Sequence, residues 1–238
     1  MKKHLPNILT SLNLLSGWVA LYFTFNEQFL IAVLLIVIAS VFDFLDGFVA
    51  KILKVQSELG AQLDSFADLV TFGIAPAAIS YKISSTQFNF SHDYMTIILF
   101  IFIGLIPVFA ALRLAKFNTD KPDSSHFVGL PSPAFALIVA ASATNYLYYY
   151  DWFSTFSNHQ FIFPILMIAF GYLMVTKLNF ISFKFESFDF SSNKFRYGLF
   201  ISSIIVTLLL IILGETVLIS VFVLLLYIIF SLIYNLRA

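Results

Sequence analysis

Apolar run follows apolar run along this chain, each close to the length a helix needs to cross a bilayer, with brief polar connections between them. A hydrocarbon core about 30 Å thick takes roughly 17–25 residues of α-helix. Lipid offers backbone groups no partners, so only helices and closed barrels can span it. With 60% hydrophobic and 11% charged residues, the chain carries more apolar surface than a water-soluble domain of this size can bury; about 45–50% and a quarter are usual. The fold class read from this is all-α: a polytopic membrane protein of about eight transmembrane helices, a six-helix core plus two. The predicted spans are 7–25, 28–53, 58–82, 93–116, 131–150, 160–177, 197–213 and 216–235, the sixth and seventh being short. Residues 1–238 read as a single membrane domain. The start, Met1-Lys2-Lys3-His4, is that of a signal peptide, but the apolar stretch from Ile8 to Phe25 is too long and ends in no clear small-residue cleavage site. It reads as the first membrane helix.

Basic residues collect in cytoplasmic loops, and they orient this map. With the amino terminus cytoplasmic, Lys2, Lys3, Lys51, Lys54, Arg113, Lys116, Lys121, Lys177, Lys184, Lys194, Arg196 and Arg237 all fall inside, leaving Lys82 alone outside. Both termini are then cytoplasmic. Residues 178–196 read as a cytoplasmic loop lying in the headgroup region, the Phe rings of the stretch Phe180 to Phe190 dipped into lipid. The thirty Phe residues of the chain read mainly as lipid-facing surface. Net charge is zero and cysteine is absent, so nothing suggests a nucleic-acid partner, and disulfides and thiol chemistry are excluded.

Against this background four acids stand out. The second predicted helix holds Asp43 and Asp46, three apart; the third holds Asp64 and Asp68, four apart. Each spacing puts its pair on one helical face. An ionised side chain within a membrane costs several kcal/mol, roughly 2.5–3.5 on insertion scales. The two pairs are also symmetric about a turn near residue 55. An antiparallel hairpin turning there brings Asp43 level with Asp68 and Asp46 level with Asp64, about 10–15 Å from the cytoplasmic end. Four carboxylates at one depth repel one another and need cations, and Lys51 is the one nearby base within the predicted membrane helices, too few to neutralise four acids. Hard oxygen donors without Cys or a neighbouring His point to Mg²⁺, Mn²⁺ or Ca²⁺ rather than zinc. Four carboxylates are enough for two such ions, a pair suited to clamping a phosphate. Gly47, Ala50 and Gly60 leave the helix surfaces bare beside the acids, although any one of them alone reads as a helix-packing position.

The order Asp43, Asp46, Gly47, Ala50, Lys51, Gly60, Asp64, Asp68 resembles, at every interval, the signature of the CDP-alcohol phosphotransferases. The departure is Lys51, where that family usually has Arg; Lys keeps the charge but not the planar bidentate fork. The resemblance implies a divalent-metal pair, Mg²⁺ or Mn²⁺, held by Asp43, Asp46, Asp64 and Asp68, with Asp68 also the base that deprotonates the attacking alcohol. It implies that Asp46, Gly47, Ala50, Lys51 and Gly60 line the site for the CDP-linked lipid, and it implies a homodimer. Asn7, Thr10 and Asn13, three apart on the first helix, are placed to hydrogen-bond the CDP end, with helix packing as the alternative reading; Asn7 is the one assigned to the site.

Beyond the signature, Leu63 to Pro76, Arg113 to Asn118 and Phe127 to Pro133 resemble stretches of the integral-membrane phosphatidylserine synthases within that family. The implied substrates are CDP-diacylglycerol and L-serine, with the bilayer as surroundings and the active site opening to the cytoplasm. A zwitterionic amino acid needs a counter-charge for its carboxylate. Arg113 is the candidate, with Asn118 close by in sequence, and snorkelling of Arg113 to the headgroups is the competing reading. His126 reads as a surface residue. Two other functions stay open: the same chemistry on another acceptor, such as glycerol-3-phosphate or an inositol phosphate, and cation transport. The second lacks the inverted repeat that transporters often carry.

Overall fold

A computed structural model describes residues 4–55, 57–87, 93–119, 127–149, 162–181 and 194–237. Lys121, His126 and most of the predicted interfacial loop lie outside them. The described chain is almost wholly helical. Helix α1 spans Leu5–Phe25 and α2 Phe29–Leu53. A third rod is built from α3 (Glu58–Asp68), a π-helical turn (Leu69–Ile74) and α4 (Ala75–Gln87). The fourth comprises α5 (Asp93–Ile103) and α6 (Leu105–Thr119). Then come α7 (Ser132–Tyr148), α8 (Ile162–Tyr172), α9 (Lys194–Ile212) and α10 (Ile219–Arg237). Two short strands, β1 (Phe127–Val128) and β2 (Asn179–Phe180), pair antiparallel.

Among the described residues six rods are long and apolar enough to cross a membrane: α1, α2, α3–α4, α5–α6, α9 and α10 with the turn before it. The short ones are the fifth and sixth of the eight expected, not the sixth and seventh. The reason is position. Helix α7 touches α2, α4, α8 and α10, and Phe135, Ala136, Val139 and Ala143 on it are fully enclosed. A helix surrounded by protein has no lipid to satisfy, so Ser, Thr and Asn are tolerated along it.

Helix α1 is polar inside and apolar outside. Its buried face is Pro6, Thr10, Asn13, Ser16, Gly17, Ala20 and Thr24, while Leu15, Trp18, Tyr22 and Phe25 are exposed. Lipid is as apolar as leucine, so membrane helices associate through small residues and hydrogen bonds instead. Gly17 marks the closest approach: a Cβ there would lie 2.8 Å from the Thr71 Cα.

The expected hairpin of the second and third helices is not a packed pair. Lys54 in the left-handed region (φ 55°) ends α2, and Ser57 caps α3 by accepting the Gly60 N–H at 3.1 Å. The two helices then diverge: α1 packs against both, whereas α2 and α3 hardly touch. The small, polar face of α1 fills the wedge. Carboxylates on facing helices repel, and the splay leaves open space beside them.

The third rod does not run as one α-helix, as expected for 58–82, but widens into the π turn directly after Asp68. Here Ala75 N–H reaches back to the Val70 carbonyl, and Thr71 Oγ1 donates to the Asn13 carbonyl at 3.1 Å. Pro76 is the local cause visible in the sequence: it lacks the N–H that the Phe72 carbonyl would otherwise accept. Such π turns often occur at functional sites. At the opposite end of the bundle Lys82 forms an ion pair with Glu27 at 3.0 Å.

Candidate active site

Asp43 on α2 and Asp64 and Asp68 on α3 each offer a carboxylate oxygen within 4.8 Å of the others. Asp68 is buried, and the other two are half-buried. The fourth acid stands slightly aside. Asp46 is also buried, and its Oδ2 accepts from Thr10 Oγ1 at 2.5 Å. Asp68 Oδ1 receives a long contact of 3.5 Å from Asn13 Nδ2. Thus α1 supplies a polar partner to one acid on each diverging helix, while Asp64 Oδ1 is buried with no hydrogen-bond partner. A buried carboxylate oxygen without a donor is costly. Three hard anionic oxygens at this separation fit a divalent cation, and the orphaned Asp64 oxygen is what such an ion would satisfy.

A cleft of about 280 Å³ opens beside the acids, where α1, α2 and α3 meet. Its wall includes Asn7, Asp46, Gly47, Ala50, Gly60 and Asp64. Five of the six residues expected to line the CDP-lipid site therefore meet in one place. The sixth, Lys51, is exposed at the end of α2 and is not part of the wall. Nothing lies within 4 Å of a Cβ built at Gly47, whereas one at Gly60 would lie 3.2 Å from Asn7 Oδ1. Thr10, already placed beside the CDP end by its spacing on the first helix, and Ser57 also line the cleft; the signal of Ser57 in the sequence is a serine at the start of a helix.

Outside the cleft wall, but near the acids, is Arg113. It points inward, with Nη1 donating to Ser132 Oγ at 2.9 Å and its charge within electrostatic reach of Asp68 and Asp43. Its Nε is buried without a partner. The base facing the acids is therefore Arg113, not Lys51 as sequence proximity suggested. Asn118 is not brought to it. Five residues along the helix, it is exposed and donates to Ser65 Oγ at 2.8 Å. Ser132 was not foreseen as a site residue; its signal was its place at the start of a helix after Leu130-Pro131.

Fold and site together define a polytopic membrane protein with a carboxylate cluster, able to hold a divalent cation, between a polar cleft and an inward-facing arginine. The family model for CDP-alcohol phosphatidyltransferase matches residues 3–173, and the chain belongs to that family. It is 31% identical over 183 residues to a CDP-diacylglycerol–serine O-phosphatidyltransferase of Helicobacter pylori, covering 75% of this chain and 72% of the relative. The protein of the same name from Bacillus subtilis is 29% identical over 76% of this chain and 92% of its own length. That from Methanocaldococcus jannaschii is 31% identical over 74% and 73%.

Proposed function

We propose that this protein transfers a phosphatidyl group from CDP-diacylglycerol to the hydroxyl of L-serine, giving phosphatidylserine and CMP. The observation that carries the reading is the position of the acids between two sites. Asp46 and Asp64 belong to the cleft wall, and Asp68 and Asp43 face Arg113. Donor and acceptor can thus be received by different members of one carboxylate cluster. The names of the relatives supply the substrates.

In this reading Asn7, Thr10, Asp46, Gly47, Ala50, Ser57 and Gly60 receive the CDP end of the lipid, with exposed Lys51 at the rim. Asp43, Asp46, Asp64 and Asp68 hold Mg²⁺ or Mn²⁺, two ions in the fullest arrangement. Held there, a divalent cation would supply charge neutralisation for the diphosphate, the main demand of phosphoryl transfer. Arg113 takes the serine carboxylate and orients the hydroxyl. Asp68 accepts the hydroxyl proton as the serine oxygen bonds to the lipid-side phosphorus and the bond to the CMP oxygen breaks. No nucleophile besides the acceptor is needed. The basic residues set this site toward the cytoplasm with both termini, residues 178–196 at the interface and residues 1–238 as one membrane domain. The working unit is a homodimer.

The test is transfer by the purified protein in detergent, given CDP-diacylglycerol, Mn²⁺ or Mg²⁺ and labelled serine, with CMP release followed alongside lipid labelling. Serine-dependent CMP release that a chelator abolishes, and that Asp68→Asn lowers by about 10²–10⁴, supports the reading. CMP release driven by a different alcohol overturns the substrate, and no transfer to any alcohol overturns the reaction.

A further inference from the structure

Helix α10 lies beyond the part of the chain that the family model matches. It is an apolar helix, yet Tyr227, Ser231 and Asn235 recur on it at intervals of four, forming one polar stripe. Tyr227 and Ser231 are buried. Polar groups enclosed at membrane depth need partners, and these find theirs in a single place. Ser231 Oγ accepts the Ile181 N–H at 3.2 Å, Asn235 Oδ1 accepts the Asn179 N–H at 3.0 Å, and the Tyr227 hydroxyl donates to the Ile181 carbonyl at 3.3 Å.

Residues 179 and 181 show one edge of β2 to α10, while the other edge pairs with β1, Phe127 opposite Phe180. The side-chain stripe therefore serves as a third strand, closing a ribbon that otherwise has an open edge. From the ribbon the chain runs tightly to the site. Gly129 N–H donates to the Leu178 carbonyl at 2.8 Å and Leu130 N–H to the Leu173 carbonyl at 2.9 Å. Gly129 has φ +79° and no room for a side chain against the Met174 carbonyl. Two residues after Leu130 comes Ser132, which accepts from Arg113. Tyr227 is itself within electrostatic reach of Arg113.

We propose that Tyr227, Ser231 and Asn235 are positioning residues for the acceptor: by clamping the free edge of β2 they hold the Gly129–Ser132 segment, and through Ser132 they fix Arg113 beside Asp68. This rests on the reading of Arg113 as partner of the acceptor carboxylate. The last helix then sets affinity for the amino acid without touching it.

The chain has no cysteine, so a single spin label can be placed at Val128→Cys, an exposed position on β1 (49% exposed). In the Ser231→Ala/Asn235→Ala variant the label becomes more mobile. The KM for serine rises roughly five- to tenfold while that for CDP-diacylglycerol stays within about twofold, the same split that Arg113→Lys produces. Ser231→Thr, which keeps the hydroxyl, behaves as the unaltered protein does, and this separates the contact from general damage to the helix. Unchanged label motion, or serine and lipid KM values that move together, overturns the proposal. If the unaltered protein uses another alcohol, the split is read with that alcohol. If it transfers to none, the function proposed above fails and this role falls with it. Normal serine transfer with no split removes this inference alone.

Discussion

Thr10 holds Asp46 apart from the other three acids, its hydroxyl donating to Asp46 Oδ2 at 2.5 Å across the α1–α2 contact. The same hydroxyl lies 3.0 Å from the Pro6 carbonyl, but the carboxylate is the nearer and stronger acceptor. Thr10→Val keeps the shape and removes the donor. A hydrogen bond to a charged group contributes about 1.5–3 kcal/mol, so kcat/KM for CDP-diacylglycerol should fall roughly 10- to 100-fold, with the KM for serine little changed. Steady-state kinetics with each substrate varied in turn checks this. An unchanged kcat/KM for the lipid means that the orientation of Asp46 does not matter to the cleft.

Gly47 and Gly17 are both helical glycines near the site, and the structure gives them opposite roles. A Cβ at Gly47 meets nothing within 4 Å and the residue lines the cleft. Gly47→Leu should leave the melting temperature unchanged or raise it, since leucine favours a helix over glycine by several tenths of a kcal/mol or more. The same variant should raise the KM for CDP-diacylglycerol about tenfold or more, because it fills ligand space. Paired thermal and kinetic measurements decide the point; a stable protein with an unaltered lipid KM would mean that the ligand does not pass this residue.

At Gly17 the obstruction is Thr71, its side-chain hydroxyl first and also its backbone: a Cβ would lie 2.8 Å from the Thr71 Cα. Gly17→Ala must push α1 away from the π turn, an overpacking that costs about 1–3 kcal/mol. The melting temperature should drop by roughly 2–10 °C. Turnover should drop as well, because Asp68 sits three residues before Thr71. Lost stability with full turnover would show that the π turn does not govern the position of Asp68.

Much of this was legible in the sequence because it depended on spacing along single helices. Asp43 with Asp46, and Asp64 with Asp68, declare their shared faces by intervals of three and four. That Asn7, Asp46, Gly47, Ala50 and Gly60, from three helices, meet in one cleft was expected from the family resemblance and not from spacing. What was not legible depended on which helix lies next to which. Symmetry about residue 55 placed the four acids level, but it could not show that α1 wedges the two helices apart or that Thr10 draws Asp46 aside. Lys51 is nearer to the acids in sequence, while Arg113 is the base that faces them, since a helix far along the chain can be the closest neighbour in space. Two signals were present but unread. Pro76 marks the π turn, and the interval of four from Tyr227 through Ser231 to Asn235 marks a polar stripe on an apolar helix.

The inside-out polarity of α1 has a consequence for biogenesis. This helix precedes all the others during synthesis, yet the groups that answer its buried polar face come much later. Asp46 follows Thr10 by 36 residues, Asp68 follows Asn13 by 55, and Thr71 follows Asn13 by 58. Helix α1 emerges ahead of those partners, its hydroxyls able to donate to carbonyls of their own helix, Thr10 to Pro6, Ser16 to Leu12 and Thr24 to Ala20, while the Asn13 amide has no such local partner. The packing of α1 is therefore completed only once the third rod has arrived. Acids of the cluster, Asp46 and Asp68, also complete the packing of the first helix, so a fault in either is felt in both.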